Sequence, residues 1–200
     1  MQYALPRFRP AQINAAGKAL TAAPLGRPMT NAEFEDLVQT YVVVNNWRAC
    51  HARPLGTFAV TLKNRALKIH KESLVAQRIK RLDSITRKLE IQSTMHLSQM
   101  QDIAGCRAIM PTIAHVRRLE KRYGETKDFS HEFKSCKDYI AEPKASGYRG
   151  IHLIYRFKLR DPSPYQGQQV EIQLRSKLQH VWATAVEAAG TFTNQALKSS

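Results

Sequence analysis

Two carboxylates far apart in the chain, Asp102 and Glu171, are the acids best placed to share one divalent ion. Asp102 sits just ahead of an apolar run, and Glu171 lies in an alternating one. Magnesium takes one or two carboxylates and fills its shell with water and phosphate oxygens, so a pair of acids is enough. Cations that handle phosphate are also present: Arg78, Lys80, Arg81, Arg87 and Lys88 surround Ser84, where a helix is predicted to start. A solvated basic helix is the competing reading. Neither G-x-x-x-x-G-K-[ST] nor G-x-G-x-x-G occurs, so side chains rather than a glycine-rich loop must hold any phosphate.

A second group follows from strand periodicity. Ile151, Leu153, Tyr155, Phe157 and Leu159 alternate with His152, Arg156 and Lys158, and Val170, Ile172 and Leu174 alternate with Glu171, Gln173 and Arg175. The turn signals Asp161-Pro162-Ser163-Pro164 and Gly167 join the two strands, which should pair antiparallel. His152, Glu171, Gln173 and Arg175 then share one face: a base, a metal-capable carboxylate and two oriented donors. An ordinary solvated sheet face is the competing reading.

The elements that must position these groups are legible in part. Thr30-Asn31-Ala32-Glu33 is a capping box ahead of Phe34, Leu37, Val38, Tyr41 and Val44, which predicts a helix of roughly five turns. Pro54 and Gly56 break it, and a second helix is expected from Leu55 to Lys71. Ile103 to Met110 reads as a buried strand containing Gly105, Thr112 to Tyr123 as an amphipathic helix, and Gly124 to Ser130 as a loop. A last helix after Ser176 carries Leu178, Val181, Trp182, Ala185, Val186 and Ala189 in a stripe that reads as core packing, with Trp182 a buried anchor. The fold expected is α+β: a mixed, mainly antiparallel sheet flanked by helices. Residues 1–29, rich in proline, read as a lead-in with at most a short helix. N-terminal helices over 30–75 and a catalytic core over 76–190 follow, in a domain running to 200.

At 200 residues the chain has room for one ordinary domain. Thirty-one Lys and Arg against sixteen Asp and Glu leave a net charge of +15, which draws polyanions such as nucleotides or RNA. The three cysteines, 50, 106 and 136, form no C-x-x-C pair, which argues against a disulfide framework or zinc knuckle and for a reducing cytosol. No apolar run is long enough to cross a bilayer, so no membrane partner is expected.

Four motifs in succession resemble the synthetase domain of the RelA/SpoT family: Asp102-Ile-Ala-Gly-Cys-Arg107, Lys137-Asp-Tyr-Ile-Ala-Glu-Pro-Lys144, Gly147-Tyr-Arg-Gly-Ile-His152, and Val170-Glu-Ile-Gln-Leu-Arg175 with His180 and Trp182 following. The resemblance runs from about Arg78 to Ala189 and implies a nucleotidyltransferase-like fold. It implies transfer of the β,γ-pyrophosphate of ATP to a ribose 3′-hydroxyl with release of AMP. On that resemblance Asp102 and Glu171 hold Mg²⁺, and Glu171 with Gln173 helps deprotonate the attacking hydroxyl. Arg78, Lys80, Ser84 and Lys88 contact ATP, Arg107 stacks on its adenine, and Lys144, Tyr148 and His152 bind the acceptor. Tyr148 as a loop anchor and Arg107 as a strand-edge ion-pair partner are the competing readings. The family's hydrolase domain has no counterpart. Gly150 stands where many members have Ser, which loosens the transfer of substrate preference at that loop.

Two acceptors fit such a site: GDP or GTP, which would make an alarmone synthetase, or the 3′-terminal adenosine of tRNA, which would make a translation-inhibiting toxin. An extended basic surface rewards tRNA. Lys63, Arg65, Lys68, Lys71, Arg117, Arg118, Lys121, Arg122 and Lys127 supply one, so tRNA is the acceptor expected. A non-catalytic RNA-binding module is disfavoured because Asp102, Tyr148 and Glu171 are all present. The chain stops at Thr191 to Ser200 just after a helix, the pattern of a fragment whose missing part carries regulation, such as a fused antitoxin or sensor.

Overall fold

Capping chemistry and proline placement set the helical first third. A computed structural model describes residues 3–23, 26–125 and 129–192, without the side chains of 191 and 192. Helix α1 (Pro10–Ala22) precedes α2 (Asn31–Cys50), whose N-cap Thr30 accepts from the Glu33 amide while the Glu33 carboxylate accepts from Thr30 N–H. Helix α3 (Ala52–Ile69) starts before Pro54, which sits in the first turn, where its missing N–H costs nothing. The proline-rich lead-in therefore holds a 13-residue helix rather than a short one, and Ile13, Ala16 and Leu20 bury it against α2 and α4.

Strand β1 (Leu74–Ile79), α4 (Leu82–Ile91), a 3₁₀ turn (Leu97–Gln99), β2 (Ala104–Met110), α5 (Ile113–Glu125), β3 (Glu132–Asp138), β4 (Ile151–Arg156), β5 (Gln169–Ser176) and α6 (Lys177–Phe192) complete the chain. The sheet order is β1-β2-β5-β4-β3, with β2 and β5 parallel and every other pair antiparallel. This is the expected α+β fold, with two edge strands, β1 and β3, that hydropathy did not announce.

One sheet face is apolar. Ala104, Cys106 and Ala108 of β2 and Val170, Ile172 and Leu174 of β5 pack against Phe58 and Leu62 of α3 and Val116 and Leu119 of α5. Each large side chain buried there contributes about 1.5–3 kcal/mol. Alternation turns Arg107, Glu171, Gln173, Arg175 and His152 to the other face. A second cluster, with Val44, Ile85, Leu89 and Ile103 at its centre, fixes α4 beside the start of β2.

Helix α6 departs from expectation. Leu178 and Val181 are 79% and 63% exposed, Ala185 and Ala189 are exposed, and Ala183 is the residue it buries completely. The helix flanks the polar face of the sheet, where Trp182 lies 6.5 Å from the Tyr148 ring. Its apolar stripe therefore faces outward, and Trp182 is half-buried rather than a core anchor. No helix among the described residues is long and apolar enough to cross a membrane. The expected C-terminal regulatory segment falls at and beyond residues outside the description.

Candidate active site

Sheet register builds the site row by row. Arg78 of β1, Gly105 of β2 and Glu171 of β5 lie side by side, and the next row holds Arg107, Gln173 and His152. Gly105 has no side chain between Arg78 and Glu171, and a Cβ built there meets nothing closer than 3.9 Å. The gap opens a cavity of about 90 Å³ lined by Arg78, Asp102, Arg107, Glu171 and Gln173. A small polar cavity of this kind has room for a cation with several oxygen ligands.

On one side of the cavity Asp102 lies between two ammonium groups. Lys80 Nζ donates to Oδ2 and Lys88 Nζ to Oδ1, each at 2.8 Å. Burial alone would raise this carboxyl, but the two lysines outweigh it and bring it down to about 2. Lys80 is fixed by its own backbone: its N–H donates to the Ile103 carbonyl, and its carbonyl accepts from Arg48 Nε of α2. Lys88 projects from α4, and Ser84 stands one turn earlier on the same helix face.

On the other side Glu171 is held by two directional hydrogen bonds. Oε1 accepts from His152 Nδ1 at 2.8 Å, and Oε2 accepts from Gln173 Nε2 at 2.6 Å. Burial pushes this carboxyl up, the His152 and Gln173 hydrogen bonds bring it below the usual range, and the Asp102 charge opposes them. That repulsion between two carboxylates across one cavity is what a divalent cation relieves, and two hard oxygen donors suit an ion such as magnesium. Among the described residues no cluster of three or more His, Cys, Asp or Glu is preformed. Below Glu171, burial drives the Cys106 thiol up to about 12, so it is inert.

The loop between β3 and β4 brings Tyr148 to the same face. Asp138 anchors it: Oδ1 accepts from the Ile140 and Ala141 amides, and Oδ2 pairs with Arg117 of α5. Gly147 turns the chain at φ +80°, a conformation that favours glycine, against the face of Trp182. The Tyr148 ring is 4% exposed, and its hydroxyl meets His152 Nε2 and Arg175 Nη2, each at 2.6 Å. Lys144 Nζ stands 5.4 Å from the Tyr139 ring and 6.0 Å from that of Tyr148.

A family model described as the region found in RelA/SpoT proteins matches residues 77–196. The chain belongs to the RelA/SpoT family. Within it, the chain is 36% identical over 112 residues to the GTP pyrophosphokinase YjbM of Bacillus subtilis strain 168, an alignment covering 55% of this chain and 52% of that protein. It is 30% identical over 112 residues to the GTP pyrophosphokinase YwaC of the same organism, covering 54% and 52%. The matches span about half the length of these relatives. The small alarmone synthetase 1 from Bacillus subtilis bound to its product pppGpp superposes with TM-score 0.65 at 27% identity, covering 74% of this chain and 80% of that one.

Of the residues expected on the RelA/SpoT resemblance, Asp102, Glu171, Gln173, Arg78 and Arg107 line one cavity, and Lys80 and Lys88 reach it through Asp102. Lys144 and Tyr148 stand on the adjoining loop. Two candidates look different in three dimensions. Both ring nitrogens of His152, expected to bind the acceptor, are engaged within the protein, and Tyr148, expected to bind it too, is covered. Arg81 and Arg87 are exposed and form no ion pair with Asp102. Sequence reasoning gave no role to Gly105, although a glycine inside a buried strand is itself a signal of close approach.

Proposed function

We propose that this chain is a pyrophosphokinase that transfers the β,γ-pyrophosphate of ATP to the 3′-hydroxyl of GDP or GTP, releasing AMP. The observation that carries the reading is the meeting of Asp102 and Glu171 at one cavity, with lysines on one side and a hydrogen-bonded base and aromatic loop on the other. The names of the relatives support the guanine acceptor over tRNA.

Arg78, Lys80 and Lys88 receive the triphosphate, with Ser84 beside them, and Arg107 stacks on adenine. Asp102 and Glu171 would hold the Mg²⁺ that, when bound, neutralises charge on the phosphates. Lys144, Tyr148 and His152 take the acceptor, whose base reaches Tyr148 when the loop opens. Glu171, oriented by Gln173, accepts the 3′-hydroxyl proton. The 3′-oxygen bonds to the β-phosphorus as the bond from that phosphorus to the bridging oxygen of AMP breaks.

Burial weakens the charge argument for tRNA. Arg65, counted as surface, is buried with its guanidinium over the Tyr123 and Phe129 rings, Arg117 pairs with Glu120 and Asp138, and Lys121 pairs with Glu125. Lys127 lies outside the described residues. The test offers ATP labelled in the γ-phosphate with GDP, GTP or deacylated tRNA. Label entering the guanine nucleotide with one AMP released per transfer is the outcome expected. Label confined to tRNA would overturn the acceptor, and no transfer to any of them would overturn the reaction.

A further inference from the structure

Arg175 is the most deeply buried charged residue on the polar face. It is 3% exposed, its Nε and Nη1 find no hydrogen-bond partner, and among the described residues no carboxylate pairs with it. A buried guanidinium without an acid is disfavoured, and an aliphatic side chain would serve packing better. Such breaches of the ordinary rules concentrate where function demands them.

Its one engaged nitrogen explains the position. Nη2 donates to the Tyr148 hydroxyl at 2.6 Å and to Gln173 Oε1 at 2.8 Å. From there two chains of hydrogen bonds run to the same carboxylate. In the first, Gln173 Oε1 also accepts from Arg107 Nε at 3.1 Å, which fixes the amide so that Nε2 donates to Glu171 Oε2. In the second, the Tyr148 hydroxyl, an acceptor from Arg175, donates to His152 Nε2, and His152 Nδ1–H donates to Glu171 Oε1. The polarity agrees at every link when His152 carries its proton on Nδ1, and the two chains close a ring on both oxygens of Glu171.

The guanidinium also lies 4.9 Å from the centre of the Tyr148 ring, a cation–π contact that holds the ring as well as its hydroxyl. Gly150 makes the packing feasible, since a Cβ there would stand 3.2 Å from the Tyr148 hydroxyl and 3.3 Å from Arg175 Cγ.

We propose that Arg175 is a positioning residue that couples the Tyr148 loop to the orientation of Glu171 through this ring of hydrogen bonds. The inference rests on the reading of Tyr148 as the acceptor platform and Glu171 as the base. Displacing Tyr148 onto an acceptor base opens one arm of the ring, while the Gln173 arm keeps Glu171 aimed.

The test compares the full chain with Arg175→Met and Arg175→Lys by two readouts. The first is ¹⁵N NMR of the His152 imidazole, which needs no substrate: the wild type should show an Nδ1–H tautomer with a hydrogen-bonded Nε2, lost in Arg175→Met and recovered in part by Arg175→Lys. The second is steady-state kinetics, in which Arg175→Met should lower kcat and raise KM for the guanine acceptor, each about 10-fold or more, with KM for ATP within about 2-fold. A folded Arg175→Met protein with an unchanged His152 spectrum overturns the proposal, as do unchanged kinetics. If the wild type transfers nothing to guanine nucleotides, the functional reading fails while the imidazole spectrum still decides the role of Arg175. If Arg175→Met does not fold, Arg175→Lys carries the same test, and a fully wild-type His152 spectrum in it overturns the proposal.

Discussion

Asp102 and Glu171 border the same cavity, yet one rests between two ammonium groups and the other accepts from an imidazole and a carboxamide. The lysine side is a store of point charge. Lysine makes little demand on geometry, so on the proposed function Lys80 and Lys88 turn from Asp102 to triphosphate oxygens without a rebuilt scaffold. The Glu171 side is built from directed hydrogen bonds, and Arg175 serves there to orient Gln173 and Tyr148 rather than to pair with the acid. On the proposed function, the contrast teaches a division of labour: charge for the donor, direction for the acceptor and its proton.

Four experiments bear on that division. The largest effect is expected for Glu171→Gln, which keeps the shape but cannot take a proton: kcat should fall about 10³-fold in an AMP-release assay, in a protein that circular dichroism shows to be folded. A fall below 10-fold would make the two sides equivalent. Gly105→Val comes next. The fold has space for a Cβ there, but the branched side chain projects between Arg78 and Glu171, so turnover should drop about 100-fold in a protein of wild-type circular dichroism.

Lys88→Ala should raise KM for ATP about 10-fold and leave the acceptor KM alone, with Lys88→Arg intermediate. The wild-type KM for ATP should also rise with salt more steeply than that of Lys88→Ala.

The smallest effect is on stability. Because folding lowers the Asp102 carboxyl from 3.8 to about 2, its contribution is present above 3.8 and is lost as pH falls toward 2. Across that window, in metal-free buffer, denaturant titration of the wild type should lose about 2 kcal/mol that Asp102→Asn does not lose.

Much of this arrangement was readable from local pattern. The β4–β5 pair announced itself because apolar and polar residues alternate along each strand, and α2 because its capping box closes on Thr30 and Glu33. The edge strands escaped for the opposite reason: β1 and β3 are mostly exposed on both faces, so neither carries an apolar alternation. The stripe on α6 was visible, but periodicity cannot say whether a stripe meets a core or solvent, and here the face beneath holds Tyr148. Gly105 and Arg175 became meaningful only through register, which places the glycine between Arg78 and Glu171 and the guanidinium beside Gln173. The charge argument for tRNA is weakened at Arg65, where counting charge assumed exposure and the chain buried the charge among aromatic rings.

The central claim is that Asp102 and Glu171 serve one divalent ion together. Electron paramagnetic resonance with Mn²⁺ in the presence of a non-hydrolysable ATP analogue tests it most directly. The account predicts one tightly bound ion in the wild type and binding weakened at least about 10-fold in both Asp102→Asn and Glu171→Gln. Wild-type Mn²⁺ affinity in either folded variant would contradict it.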